Sequence, residues 1–343
     1  MTAQITRRDF LKLSGAGLLG ALLSGIHADS AFSQGTMDGL QGRVIANSIN
    51  VYTEPTNTSK FVSSFFKDQV IPITETALGV DEKAKNRIWY KMGEGYAHSA
   101  QVQPVRTLLN KPDGNFRSTG VLAEVSVPYT DAYKSASFDS EVVYRLYYET
   151  IHWVDKLVWD GAGNAWYRFY DDKRKVNYYV PATHLRLVTD GEVAPISPDV
   201  DSDKKLLTVN VTEEIVTAYE DNQPVYMARC STGLRSYSIF RTTPLGWHVT
   251  NHKRFTRHMA AGDPASAEGF DLPGIPWVSY FTKSGVSFHG TYWHNDFGVP
   301  HSHGCVNLTP QAAKWVLRWT SPTISPWNQL ALKDYGTAVN VYE

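Results

Sequence analysis

The 343-residue sequence holds two cysteines, and one of them lies among histidines. Cys305 is part of Ser302-His303-Gly304-Cys305-Val306-Asn307, and His289-Gly290-Thr291 precedes it. A free thiol has a pKa of about 8.5 and attacks as the thiolate, so it needs a base beside it. His289 and His303 are the two candidates. His303 stands two residues before Cys305, and in an extended loop their side chains point the same way. His289 ends the run Val286-Ser287-Phe288, which reads as a strand, and so approaches the sulfur from a different element. Gly304 lets the backbone turn tightly, and the amides around Gly304 and Cys305 can then face a developing oxyanion.

Other chemistries fit less well. His289, His294, His301, His303 and Cys305 are all zinc-type ligands, but their spacing matches no paired-Cys or His-x-x-x-His motif, and no acidic general base accompanies them. The expectation is no metal and no cofactor. A cysteine peptidase typically places its Cys before its His; here the order is reversed and no His follows Cys305. Cys230 ends a patterned strand with no reactive neighbour in sequence and reads as core. With two cysteines at most one disulfide can form, and pairing Cys230 with Cys305 would silence the thiol.

The elements that must hold these residues are mostly strands. Leu207, Val209 and Val211 alternate with polar residues, Ile215 to Tyr219 follows, then a turn at Glu220-Asp221-Asn222, then Val225 to Cys230: a meander with period-two patterning. One helix is expected, with Thr309 as N-cap, Pro310 at the first helical position and Ala312, Trp315, Val316 and Trp319 on its apolar face. Pro322 lies just beyond its end. Upstream, residues 190–203 carry Gly191, Pro195, Pro198 and several Asp, and read as a linker. A degenerate repeat precedes them. Asn86-Arg87-Ile88-Trp89-Tyr90-Lys91 is echoed by Asn164-Ala165-Trp166-Tyr167-Arg168, and Gly95-Tyr96-Ala97 by Tyr179-Val180-Pro181. Short, closely spaced strands in two copies suggest two small β-barrels, with Trp89 and Trp166 as barrel core and Tyr52 or Tyr129 left for binding.

Composition agrees. The chain has 10 Trp, 19 Tyr and 14 Phe, a bias towards strands. Its 33 Lys and Arg balance 34 Asp and Glu, which argues against nucleic acid as a partner. Residues 1–34 combine Arg7-Arg8, a short apolar run from Leu13 to Ile26 and a small-residue exit. This resembles a twin-arginine (Tat) signal, with export to the cell envelope as the expectation.

The pattern His-Gly-Thr, a spacer, then Ser-His-Gly-Cys-Val-Asn resembles the active-site signature of L,D-transpeptidases, the YkuD-type catalytic domain. Ser231-Thr232-Gly233, Thr243-Pro244-Leu245-Gly246 and Ile275-Pro276-Trp277 also fit that family. The repeat is similar to bacterial Src-homology-3-like modules. The implied fold is mainly β: two small Src-homology-3-like barrels at 40–110 and 118–189, the linker, and an L,D-transpeptidase-type β-sandwich over 204–343 with one clear helix. The resemblance implies Cys305 as nucleophile, His289 as general base oriented by Gly290 or Thr291, and His303 and Gly304 shaping the oxyanion side. It further implies Gly290, Thr291, Trp277, Ser302 and Asn307 at the substrate, Asn307 bracing the loop. His294, His301, Tyr292, Trp293 and Phe297 in the spacer are expected as a lid or substrate wall. The implied partners are peptidoglycan stem peptides, with further cell-wall contact through the middle modules. The implied reaction is acyl transfer that expels a terminal D-alanine, to an amine or to water.

Overall fold

The computed structural model describes residues 27–28, 39–234, 242–262 and 269–343. The signal reading of residues 1–34 falls outside these, apart from the extended pair His27–Ala28, which runs parallel to Tyr226–Met227. The described chain is mainly β: three sheets and, among the described residues, one α-helix, Pro310–Trp319.

Two seven-stranded sheets come first. Gln41–Val44, Ser48–Tyr52, Phe61–Phe66, Val70–Leu78, Ile88–Met92, Gly95–His98 and Val102–Val105 build one. Val121–Val125, Tyr129–Tyr133, Val142–Tyr147, Ile151–Trp159, Ala165–Asp171, Val176–Pro181 and Leu185–Leu187 build the other. Counted within each sheet, the spatial strand order is identical. The repeat is therefore a duplication of topology. Alternating side chains fill each interior, with Val44, Ile73, Met92 and Ala97 in the first and Val125, Leu146, Tyr167 and Val180 in the second. Trp89 and Trp166 are both buried.

The third sheet carries the site. From one edge to the other it runs Gln223–Arg229, Ile215–Glu220, Lys205–Asn210, Leu330–Tyr342, Gly246–Ala261, Phe270–Tyr280, Ser287–Gly290 and Val306–Leu308, with His27–Ala28 outside the first. The meander closes where Asp221 and Asn222 both take positive φ (46° and 64°), which fits a tight hairpin with right-handed strand twist. The C-terminal strand Leu330–Tyr342 lies in the centre, parallel to Lys205–Asn210 and antiparallel to Gly246–Ala261.

The helix packs on this sheet through Ala312, Ala313, Val316, Leu317 and Trp319. Its start follows from sequence: the Thr309 side chain accepts from the Ala312 N–H, and Pro310 needs no donor there. Its end is held by two buried lysines. Lys205 Nζ donates to the Trp319 carbonyl (3.0 Å) and Lys253 Nζ to that of Thr320 (2.6 Å), so carbonyls left over at the helix end gain donors. The 190–203 segment also packs here. Val193 joins the core, Arg318 Nε donates to the Ala194 carbonyl and the Ile196 amide to that of Arg318.

Candidate active site

Strand alternation places the key side chains. In Ser287–Gly290 the Phe288 ring enters the core, so Ser287 and His289 share the opposite face. This strand pairs in parallel with Val306–Leu308, Phe288 opposite Val306 and His289 opposite Asn307. The same register sets Ser287 beside Cys305. The Ser287 hydroxyl lies 3.7 Å from the Cys305 sulfur, and the Ser287 amide also contacts it. Cys305 is free and partly exposed.

His289 hydrogen-bonds Cys305. Its Nδ1 is 3.0 Å from the Gly290 carbonyl oxygen. A carbonyl only accepts, so Nδ1 carries the hydrogen and Nε2 is the nitrogen left to take the thiol proton. The orienting contact is the Gly290 backbone. Only glycine fits there, because a Cβ would meet Pro276 Cγ at 2.7 Å and Pro310 Cα at 3.0 Å. Burial pushes the Cys305 thiol up, but the hydrogen bond and charge of His289 and the two Ser287 contacts outweigh it, leaving the thiol below its ordinary value. Cys230 differs. It is fully buried, its sulfur 3.9 Å from the Glu214 carboxylate, and burial followed by that negative charge pushes its thiol well up.

The loop before Cys305 is self-bonded. Gly304 takes φ +116°, and a Cβ would lie 3.3 Å from the Thr242 carbonyl oxygen. The Ser302 hydroxyl accepts the Gly304 amide (3.0 Å) and donates to the Cys305 carbonyl, while Thr243 Oγ1 donates to the Gly304 carbonyl (2.9 Å).

Four sequence expectations change here. The Gly304 N–H is spent on Ser302, so it does not face an oxyanion; among the described residues the Cys305 N–H has no hydrogen-bond partner and is the amide left for that task. His303 is exposed with its ring 5.9 Å from that of Phe270, and the sulfur's histidine is His289. Trp277 is 1% exposed and packs edge-on against Phe255 in the core, because its positive φ (61°) turns it inward; it is not a substrate contact. Asn307 is buried rather than substrate-facing. Its backbone bridges Ser231 in both directions at 2.9 Å, and its side chain meets His294. Of the others, Ser302 is a loop brace, and Thr291 is buried with its hydroxyl unpartnered among the described residues.

The spacer between His289 and Cys305 is clamped. His294 stacks on His301 at 4.5 Å, and His301 Nε2 lies 2.9 Å from Asp296. The Asp296 amide donates to His294 Nδ1 (3.2 Å). A neutral imidazole accepts at one nitrogen only, so His294 Nε2 must donate to Asn307, with the amide oxygen turned towards it. Burial holds His294 neutral, pushed down to about 3. No metal-binding group of three appears among the described residues, since these rings are spent on each other.

Both upstream sheets reach this spacer, which sequence reasoning missed. The buried Arg43 of the first donates to the Tyr292 carbonyl (2.9 Å) while holding Asp68 (2.9 Å) and Gln103 (2.8 Å). Its guanidinium lies 4.0 Å over the Tyr147 ring of the second sheet, and Tyr147 stacks on Tyr292 at 5.3 Å. Tyr292 packs edge-on against Trp293, whose ring is 5.7 Å from His289. Asn86 donates to Asp296 (2.9 Å), and the Asn295 amide to the Ala100 carbonyl. The spacer residues are therefore fixed walls and joints. A lone Arg in a strand gives no sequence signal for a contact 249 positions away.

The site is thus a partly exposed thiol, lowered by an imidazole that is itself anchored on the Gly290 carbonyl, on a mainly β frame. Residues 204–341 match the model of YkuD, the L,D-transpeptidase catalytic domain. The chain is similar to the putative L,D-transpeptidase YciB of Bacillus subtilis (strain 168), 27% identical over 129 residues, 35% of this chain and 62% of that protein. The chain thus spans about three-fifths of the length of that curated relative. Among solved structures, an L,D-transpeptidase from Xylanimonas cellulosilytica is 26% identical with a TM-score of 0.30, covering 41% of this chain and 62% of that one. An L,D-transpeptidase from Mycobacterium smegmatis is 17% identical with a TM-score of 0.33, covering 52% and 90%.

Proposed function

We propose that the protein is an exported L,D-transpeptidase that joins peptidoglycan stem peptides through a thioester on Cys305. The observation that carries this is the hydrogen bond between Cys305 and His289, whose other nitrogen is anchored on Gly290, inside a YkuD-type domain. His289 Nε2 takes the thiol proton as the sulfur attacks the carbonyl carbon of the stem's diamino acid. The developing oxyanion is received by the Cys305 N–H. As the tetrahedral centre collapses, the C–N bond breaks and the imidazolium gives its proton to the departing D-alanine amine. The thioester remains. An amine from a neighbouring stem then attacks it, loses its proton to His289, and releases the thiolate with a new amide formed. Water in place of the amine gives a carboxypeptidase by the same steps. No metal or cofactor enters the scheme. The twin-arginine pattern of the first residues supports export to the cell envelope.

Turnover of a disaccharide tetrapeptide by the native chain and by Cys305→Ala tests this reading. Release of D-alanine by the native chain alone supports it, and undiminished release by the variant removes Cys305 from the mechanism. The crosslinked dimer or the trimmed tripeptide, told apart by mass, identifies the acceptor.

A further inference from the structure

The two duplicated sheets differ around one indole. Tyr52 pairs with Tyr96 as Tyr133 pairs with Tyr179, and the strand bulge that follows matches Phe61 to Val142. Asn57 therefore stands where the second sheet has Phe138. The loops before the two tryptophans close on matching hydrogen bonds, Gly79 N–H to the Arg87 carbonyl and Asp160 N–H to the Asn164 carbonyl. Gly79 therefore stands where the second sheet has Asp160.

Both differences fall on the tryptophan. In the second sheet the Phe138 ring lies 4.7 Å from Trp166, Asp160 accepts its indole N–H at 3.1 Å, and Trp166 is 0% exposed. In the first sheet neither the phenyl ring nor the carboxylate is there. Trp89 is 8% exposed, and its indole N–H has no hydrogen-bond partner among the described residues. It lines a cleft of about 160 Å³ with Asn57, Gly79, Asp81, Arg87 and His98. The ring of Trp89 is nine-tenths buried, and its N–H, unlike that of Trp166, is left open in the cleft to an acceptor from outside the chain.

We propose that this cleft is a ligand site for the acetamido group of a polymeric amino sugar. The occupant must be about as small as the missing phenyl, bring an acceptor for the indole N–H, and offer apolar surface to an aromatic wall. An acetamido group has all three: a methyl for the ring of Trp89, a carbonyl oxygen for its N–H, and an N–H of its own for the Asp81 carboxylate. It also ends in its methyl and so enters a short cleft end-on, whereas a peptide amide continues from both sides. The sugar hydroxyls then lie over the exposed Asn57. The cleft adjoins the catalytic domain. Asn86 at its floor donates to Asp296 of the spacer, and the Lys85 carbonyl accepts from Arg229. A glycan held here and a stem peptide held at Cys305 would belong to one polymer, each contact raising the local concentration for the other. The choice of a wall glycan rests on the reading of the C-terminal domain as a wall enzyme; the acetamido chemistry is read from the cleft itself.

The test is a titration of the full chain with a β-1,4 trimer of N-acetylglucosamine. The deacetylated trimer and a free tetrapeptide serve as controls, followed by calorimetry and by the indole N–H resonances of ¹⁵N-tryptophan-labelled protein. The expected result is binding of the acetylated trimer alone, with the Trp89 indole resonance shifted and that of Trp166 unmoved. Asn57→Phe, which supplies the phenyl of the second sheet, should weaken binding at least tenfold. Cys305→Ala should bind the trimer as the native chain does while losing turnover, which separates this inference from the catalytic one. No binding by the native chain, equal binding of the deacetylated trimer, binding of the peptide alone, or a Trp89 resonance that stays still would each overturn it. The resonance readout stands even if Asn57→Phe does not fold.

Discussion

The two thiols of this chain sit in the same sheet and follow opposite electrostatics. Cys230 is sealed beside the Glu214 carboxylate, so ionising it would bury one negative charge against another. Cys305 opens to solvent beside an imidazole, so its ionisation creates an ion pair. One thiol follows a strand and the other precedes one, and burial raises both, so burial does not tell them apart. The neighbour's charge does, and that neighbour is fixed by strand register: His289 reaches Cys305 because two short parallel strands align Ser287 with it.

The largest effects should come from breaking that pair. Cys305→Ala is expected to lower turnover by about 10⁴-fold, read as D-alanine release. His289→Gln should cost about 10²–10⁴-fold and also move the midpoint of Cys305 alkylation up, because only the Ser287 contacts then oppose burial. A rate–pH curve that His289→Gln leaves unshifted would break the comparison.

Arg43→Met comes next. It leaves the Gln103 side-chain oxygen and the Tyr292 carbonyl without their Arg43 donor and Asp68 with Arg145 alone, and should destabilise the fold by about 3 kcal/mol, read in chemical denaturation. By loosening the Tyr292–Trp293 wall beside His289 it should also lower kcat about tenfold with KM little changed. Unchanged kcat would limit the upstream sheets to anchoring.

A smaller, pH-dependent effect is expected at His258. It lies between Asp171 of the second sheet and Asp271 of the catalytic sheet. Burial pushes His258 down, but its two carboxylate partners outweigh this and raise it; burial likewise raises the two carboxyls, and His258 outweighs it and lowers them. The lowered carboxyls stabilise the fold above their unfolded pKa of about 3.9, an effect lost as pH falls through their folded values. The raised histidine stabilises it below its unfolded pKa of about 6.5, an effect lost as pH rises through its folded value. The clasp is therefore full between about pH 4 and 6.5. His258→Gln should lower stability there by about 1–3 kcal/mol and flatten the decline above it, checked by melting curves across pH. The smallest effect belongs to Cys230→Ala: unchanged turnover and a loss of about 1 kcal/mol or less for one small core group.

Much of the site was legible in the sequence because it is local. The His-Gly-Thr and Ser-His-Gly-Cys patterns, the strand ending in His289 and the helix capped by Thr309 each rest on neighbours a few residues apart. What escaped depends on direction or on distance. The Ile-Pro-Trp motif does not reveal that Trp277 turns into the core. The Ser302 hydroxyl that takes the Gly304 amide was within reach, since short polar side chains bond amides two residues on. The grip of Arg43 on Tyr292 was not, because nothing local marks it. The duplication was visible as a Trp-Tyr-basic echo, but its differing indole pockets needed the register.

The central claim is most directly tested by alkylating the native chain with iodoacetamide across pH and locating the label by peptide mass spectrometry. The account predicts one label, on Cys305, with a rate that reaches its plateau below pH ~8.5, and none on Cys230. Labelling of Cys230 first, or a Cys305 that titrates like an isolated thiol, would contradict it.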